Sequence, residues 1–210
     1  MASAPSWIDR QLRRRGIADR RVLAAMERVP RELFAPPEYR DLAYADGPIP
    51  LPFGQTISQP YMVAVTCEAL GLEGGERVLD VGTGSGYAAA VLAELAAEVH
   101  TIERIPALAE AARAALNAAG YERVEVHVGD GALGVPDHAP FDAIAVAAAA
   151  PEVPQALWEQ LSEGGRIAIP LIGRHLQHLR VLERTARGPR LLASIPARYV
   201  PLVHGPSGDP

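Results

Sequence analysis

From Tyr61 onward the chain alternates between two periodicities. Stretches with apolar residues every three to four positions give way to short apolar runs bounded by Gly, Pro and Asp, and then return. The pattern predicts helices over 60–70, 85–96, 106–119 and 153–161. Between them it predicts strands over 77–81, 99–103, 124–128, 143–147 and 166–170, followed by two late strands over 177–183 and 191–199. Such alternation marks a parallel sheet covered by helices. The expected fold is therefore α/β: a seven-stranded, mostly parallel sheet with helices on both faces. Right-handed crossovers place a ligand crevice at the carboxyl ends of the first strands, where the strand order reverses.

The first sixty residues read differently. Trp7 to Arg15 carries Ile8 and Leu12 four apart and stops at Gly16. Arg20 to Arg28 follows, with Asp19 placed to cap it and Pro30 to end it. These form a small N-terminal helical extension. Pro36 to Pro60 is irregular, with prolines at 36, 37, 48, 50, 52 and 60 and a polar far end, and a compact domain rarely carries so long a stretch without using it. The chain divides into an N-terminal layer with a loop serving the site (1–59), a core (60–205) and a flexible tail (206–210).

Composition narrows the classes. With 210 residues, 49% of them hydrophobic, and a mean hydropathy of +0.05, the chain has enough apolar content for one full core. A net charge of −5 and a pI near 5.7 argue against nucleic acid or an anionic membrane as the main partner, because both need a positive face. Small molecules or peptides are expected instead. The longest apolar run, Ala143 to Ala150, is far short of a membrane span. The single cysteine, Cys67, reads as a buried helix residue with no Cys or His nearby at metal-ligand spacing, which predicts a cytoplasmic, metal-free chain, and a monomer is expected. All 20 basic residues are Arg, and Arg13, Arg14 and Arg15 read as a solvated helix face.

The chemistry begins at Val78-Leu79-Asp80-Val81-Gly82-Thr83-Gly84-Ser85-Gly86-Tyr87, an apolar strand running into a glycine turn that opens a helix. Glu103 ends the next strand, 21 residues after Gly82, where an acid can accept both hydroxyls of a ribose. Asp130 ends the one after, in Val128-Gly129-Asp130-Gly131. Acids at successive strand ends beside a glycine turn point to a nucleoside site. Dinucleotide fingerprints run Gly-x-Gly-x-x-Gly to seat a pyrophosphate, whereas here Asp80 precedes a Gly-x-Gly-x-Gly turn, and its charge would repel phosphate. It suits a cofactor bearing an ammonium and a sulfonium, S-adenosylmethionine, and the layout resembles the Rossmann-like methyltransferases.

A second constellation is Gly54-Gln55-Thr56-Ile57-Ser58-Gln59-Pro60-Tyr61-Met62-Val63-Ala64. If Pro60 is the first residue of the helix, Ser58 sits just outside its start, with its hydroxyl and the helix dipole aimed at one spot. Such a spot attracts a carboxylate; a serine there can equally serve only to satisfy the local backbone. At these residues the chain resembles the protein-L-isoaspartate (D-aspartate) O-methyltransferase family, from about Arg28 to Gly205. Other marks are Arg28-Val29-Pro30-Arg31 with Phe34, Glu103-Arg104, Phe141-Asp142-Ala143-Ile144, Gly164-Gly165 and Tyr199-Val200-Pro201-Leu202. The resemblance implies methylation of the carboxylate of L-isoaspartyl and D-aspartyl residues in damaged proteins and peptides, with repair proceeding through a succinimide. It makes Ser58 the active-site serine and Asp80, Gly82, Gly84, Glu103, Asp130 and Gly131 cofactor contacts, and it puts Thr56, Tyr61, Tyr199 and Val200 beside the peptide. Two places depart from the family pattern: Pro52 and Phe53 replace a glycine and a small or polar residue, and Ala147 replaces a polar one. A methyltransferase for another carboxylate, on a tailored peptide precursor or a small molecule, is the alternative.

Overall fold

The computed structural model describes residues 6–205; the tail expected over 206–210 lies outside the described residues. Short helices open the chain. Helix α1 (Trp7–Gln11) tightens into a 3-10 turn over Arg13–Arg15, and the left-handed Gly16 (φ 98°) stops it, so the single helix expected here is two pieces. Helix α2 (Arg20–Arg28) starts on Asp19, whose Oδ1 accepts from the Arg21 and Val22 amides at 2.7 and 3.3 Å. It buries Val22, Leu23, Ala25 and Met26.

The proline-rich stretch is more ordered than its sequence implied. It carries 3-10 turns over Pro37–Leu42 and Pro52–Gly54, and a two-stranded antiparallel ladder of β1 (Ile49–Pro50) with β2 (Thr56–Ile57). Helix α3 (Pro60–Leu70) follows at once, with Pro60 as its first residue and Gly71 (φ 65°) closing it.

The main sheet contains β3 (Arg77–Val81), β4 (Glu98–Glu103), β5 (Glu125–Val128), β6 (Phe141–Val146), β7 (Leu161–Ile172), β8 (Gln177–Thr185) and β9 (Gly188–Ala197), in the order β5-β4-β3-β6-β7-β8-β9. The first five pair in parallel; β8 and β9 add antiparallel. The connecting helices are α4 (Tyr87–Ala93), α5 (Pro106–Ala118) and α6 (Gln155–Gln160). This is the expected Rossmann-like sheet, with a reversal of order between β3 and β6.

Both faces are buried because each central strand is apolar at odd and even positions alike. Val78, Ala143, Ala145 and Ala168 face one side, in the core that also holds Leu12, Met26, Val63 and Tyr87. The N-terminal layer thus packs into the same core as the sheet. Leu79, Val81, Ile144, Val146, Ile167 and Ile169 face the other side, with Leu157 of α6. Cys67 is buried in α3, and burial pushes its thiol up to about 12, which leaves it unreactive.

Several boundaries move by a few residues. Helix α4 begins at Tyr87 because Gly86 (φ 88°) precedes it. Strand β7 starts five residues early, at Leu161, and β9 ends at Ala197. The segment Tyr199-Val200-Pro201, of which Tyr199 is expected to end the last strand, leaves the sheet edge. It crosses to the end of β6, where the Ala149 amide donates to the Val200 carbonyl and the Leu202 amide to the Ala149 carbonyl, both at 2.8 Å. Among the described residues, no helix is long and apolar enough to cross a membrane.

Candidate active site

A cleft of about 840 Å³ opens at the carboxyl ends of β3, β4 and β6. The glycine turn forms its floor. Gly82, Gly84 and Gly86 all have positive φ (96°, 53° and 88°), which lets the chain fold tightly between β3 and α4 with its amides turned inward. Three bonds hold the turn. The Gly82 amide donates to the Ile102 carbonyl at 2.9 Å, the Gly86 amide to the Thr83 carbonyl at 2.8 Å, and the Gly84 amide to Glu103 Oε2 at 2.9 Å.

Glu103 lines the cleft. Its other oxygen accepts from the Ile105 amide at 3.0 Å, just before α5. An ionised carboxylate has about four lone-pair sites, so two amides leave acceptor capacity for a pair of hydroxyls. Gly131 lines the wall, and a Cβ there would lie 2.7 Å from Val81 Cγ1, so any larger residue would displace the strand end or the wall.

Asp80 lies elsewhere than the sequence implied. It is only 1% exposed and sits beneath the turn, not on the cleft surface. Thr101 Oγ1 donates to its Oδ2 at 2.8 Å, and Thr83 and Thr101 hydroxyls meet at 2.7 Å, so Thr83 donates to Thr101 in turn. Burial raises the Asp80 carboxyl to about 7, opposed by the Thr101 hydrogen bond and reinforced by the negative charge of Glu103. Asp130, half-buried, also does not line the cleft. Its Oδ1 caps the 3-10 turn Gly131–Leu133 through the Ala132 amide at 2.9 Å, and its Oδ2 accepts from the Gly205 amide at 2.7 Å, latching the C-terminal segment across the site.

Thr56, Ser58 and Tyr61 line the cleft opposite the glycine turn. Among the described residues no hydrogen bond involves the Ser58 hydroxyl, and α3 starts without a side-chain cap. The capping role open to Ser58 in the sequence is therefore not taken up, and its Oγ is available to a ligand. Its carbonyl is fixed: the buried Arg31 donates from Nη2 to the Ser58 carbonyl and from Nε to the Ala43 carbonyl, each at 2.8 Å, and stacks 4.5 Å over the Tyr87 ring. Tyr199 and Val200 form the far wall. Gln177 clamps the Tyr199 backbone on both sides, and burial pushes the Tyr199 phenol up to about 12, so it is a neutral surface and not a base.

Sequence reasoning missed Arg15 and Arg31. Arg15 is more than part of a solvated face: its guanidinium lies 3.7 Å over the Tyr61 ring, pairs with Asp46 at 3.2 Å and lines the cleft. Asp46 also accepts from Gln59 Nε2 at 2.6 Å, joining the two lips of the site. Nothing local in an Arg-Arg-Arg run distinguishes the third residue. Arg31 was legible only as part of Val29-Pro30-Arg31.

A family model described as protein-L-isoaspartate (D-aspartate) O-methyltransferase matches residues 6–207. The chain belongs to this family. The protein-L-isoaspartate O-methyltransferase of Roseiflexus castenholzii is 54% identical over 192 residues, covering 91% of this chain and 88% of that one. Protein-L-isoaspartate O-methyltransferase 2 of Marinobacter nauticus is 56% identical over 203 residues, covering 95% and 92%. Among solved structures, a protein-L-isoaspartate O-methyltransferase superposes with a TM-score of 0.84 at 29% identity; 94% of this chain is matched, and it spans 65% of that longer chain. A Plasmodium falciparum structure described as a protein-L-isoaspartate O-methyltransferase in complex with S-adenosyl-L-homocysteine gives 0.81 at 25% identity, covering 94% and 96%.

Proposed function

We propose that this member of the protein-L-isoaspartate O-methyltransferase family methylates the carboxylate of L-isoaspartyl and D-aspartyl residues in damaged proteins and peptides, with Ser58 as the residue that orients the acceptor. The observation that carries the assignment of Ser58 is its unengaged hydroxyl, which lines the cleft on a residue whose backbone carbonyl Arg31 holds.

The cleft fits S-adenosylmethionine. Glu103 keeps acceptor capacity for the ribose, the Gly82–Gly86 turn presents backbone to the amino-acid end, and the absence of a Cβ at Gly131 leaves room along the wall. Bound there, the cofactor supplies an electrophilic methyl group on a sulfonium. Asp80, buried beneath the turn, acts through Thr101 and Thr83, which it holds in place without touching the cleft surface. Asp130 acts through the backbone that it pins.

The acceptor carboxylate is ionised at neutral pH, so the site needs no general base. Arg15, Arg104 and Arg198 line the cleft and draw the anion in. Ser58 then donates one hydrogen bond, which fixes the oxygen without quenching its nucleophilicity as a paired guanidinium would. Tyr61, Thr56, Tyr199 and Val200 flank the peptide and exclude water, favouring a reaction in which opposite charges cancel. Alignment supplies the rest, up to about 7–11 kcal/mol for well-oriented partners. The methyl ester leaves the site and closes to a succinimide by itself, the following backbone amide nitrogen attacking the ester carbonyl and methanol departing with the amide proton. Within the same proposal the protein works as a cytoplasmic monomer on peptide substrates, without nucleic acid or membrane.

The test is methyl transfer to an isoaspartyl peptide beside its normal aspartyl twin, read by mass spectrometry. A one-methyl gain confined to the isoaspartyl form supports the proposal; equal labelling of both, or of neither, overturns it.

A further inference from the structure

Three of the chain's six histidines, His100, His127 and His138, converge with Glu125 on a flank of the sheet, and none of the four lines the cleft. They come from three elements: His100 from β4, Glu125 and His127 from the edge strand β5, and His138 from the turn Pro136–His138. One donor atom from each lies within 4.8 Å of all the others. His100 Nδ1 is 3.1 Å from His127 Nε2 and 3.6 Å from Glu125 Oε2. In a tetrahedral site with metal–nitrogen bonds near 2.0–2.1 Å, neighbouring donors stand about 3.3 Å apart, and the two measured separations bracket that value. The His138 ring lies tilted, its centroid 4.2 Å from that of His100 and 5.1 Å from that of His127.

A second observation concerns orientation. His100 is fully buried, and its Nε2 lies 2.7 Å from Glu98 Oε1. That carboxylate accepts the Nε2 proton, which leaves the Nδ1 lone pair pointing into the cluster. A carboxylate behind a ligating imidazole is the usual way of setting its tautomer and angle. The buried Phe141 ring, 5.7 Å from His100 and edge-on to it, backs the cluster with apolar surface.

We propose that His100, His127, His138 and Glu125 form a zinc site that ties the edge strand and the 136–138 turn to β4. Three imidazole nitrogens and one carboxylate oxygen are a donor set suited to Zn²⁺, and four donors from the chain leave no position for a substrate, so the site is structural. Glu98 and Glu125 supply negative charge to offset the cation. The His127 proton that hydrogen-bonds His100 moves from Nε2 to Nδ1, so both rings stay neutral and each offers a lone pair.

The full-length protein, stripped with chelator and dialysed, is titrated with zinc chloride by calorimetry near neutral pH. In parallel, cobalt(II) chloride reports geometry through its visible absorption. One equivalent of zinc, an intense tetrahedral cobalt spectrum and a zinc-dependent rise in thermal midpoint are expected. His127→Ala and His138→Ala, both half-buried positions that spare the core, should weaken binding by about a hundredfold or more, and Glu98→Gln by about ten- to a hundredfold. His175→Ala with His178→Ala, outside the cluster, should leave it unchanged. Absence of saturable binding, a weak octahedral cobalt spectrum, or binding indifferent to His127 and His138 would overturn the site.

Discussion

Ser58 is where a single hydroxyl decides between two roles. Because α3 begins without a side-chain cap, Ser58→Ala removes nothing from the helix start. We expect methyl transfer to fall tenfold to more than a hundredfold, about 1.5–3 kcal/mol in the barrier, as for one hydrogen bond to a charged group. Urea melts and cofactor affinity should stay at parent values; a rate within twofold of parent removes Ser58 from the mechanism. Asp80 governs a different observable. Its carboxyl holds a proton up to about pH 7 in the folded protein but only to about 3.9 when unfolded, so the native state binds the extra proton between those values. That stabilisation is complete below the unfolded value and is lost as pH rises through 7. Between about pH 5 and pH 8 the group should therefore cost the ligand-free protein about 2–3 kcal/mol, and Asp80→Asn should flatten that slope in urea melts at the two pH values.

Between elements, Arg31 joins the 3-10 turn Arg31–Leu33 to the start of α3 and to Ala43. Arg31→Met would leave the buried Ala43 carbonyl and the partly buried Ser58 carbonyl without donors, and a loss of about 2–4 kcal/mol in denaturant stability is expected. Because one of those carbonyls is that of Ser58, Arg31→Lys, which keeps the charge but loses the planar fork, should lower kcat more than it changes cofactor affinity. The β1–β2 ladder carries at its tip an exposed Phe53 in the left-handed region (φ 61°), a strained conformation for an aromatic residue. Such a tip suits a lid over cofactor and peptide. Limited proteolysis between Ala45 and Ser58 should slow when S-adenosylhomocysteine and peptide are added together; equal cleavage with and without them would sink the lid. The sequence made the sheet readable because its strands are apolar runs closed by Gly, Asp or Pro. It hid β1 and β2, since two residues are too few to show a period. It misplaced the end of β9, because Tyr199 looks like a strand residue yet its backbone bonds to the Gln177 side chain, while Val200 and Leu202 bond to Ala149.

Across the whole molecule, the glycine turn, Glu103 and the Thr56–Tyr61 segment were legible because each is contiguous in sequence. The histidine cluster was not: positions 100, 125, 127 and 138 resemble no ligand spacing, and only the parallel pairing of His100 with Glu125 brings them together. The positions of Asp80 and Asp130 also needed three dimensions, since a strand-end acid can face the cleft or turn beneath it. One further property follows from the far edge of the sheet. Among the described residues, strand β9 has only β8 beside it and carries Pro189 and Pro196 near its two ends, with a register shift opposite Val181 and Leu182 between them. A proline offers no amide hydrogen, so a strand arriving from another molecule meets missing donors at both ends and a distorted ladder in the middle. Leu191 and Leu192 stay exposed there. Sheet growth is thus blunted at the seventh strand by the backbone itself, which favours colloidal stability in spite of the exposed leucines.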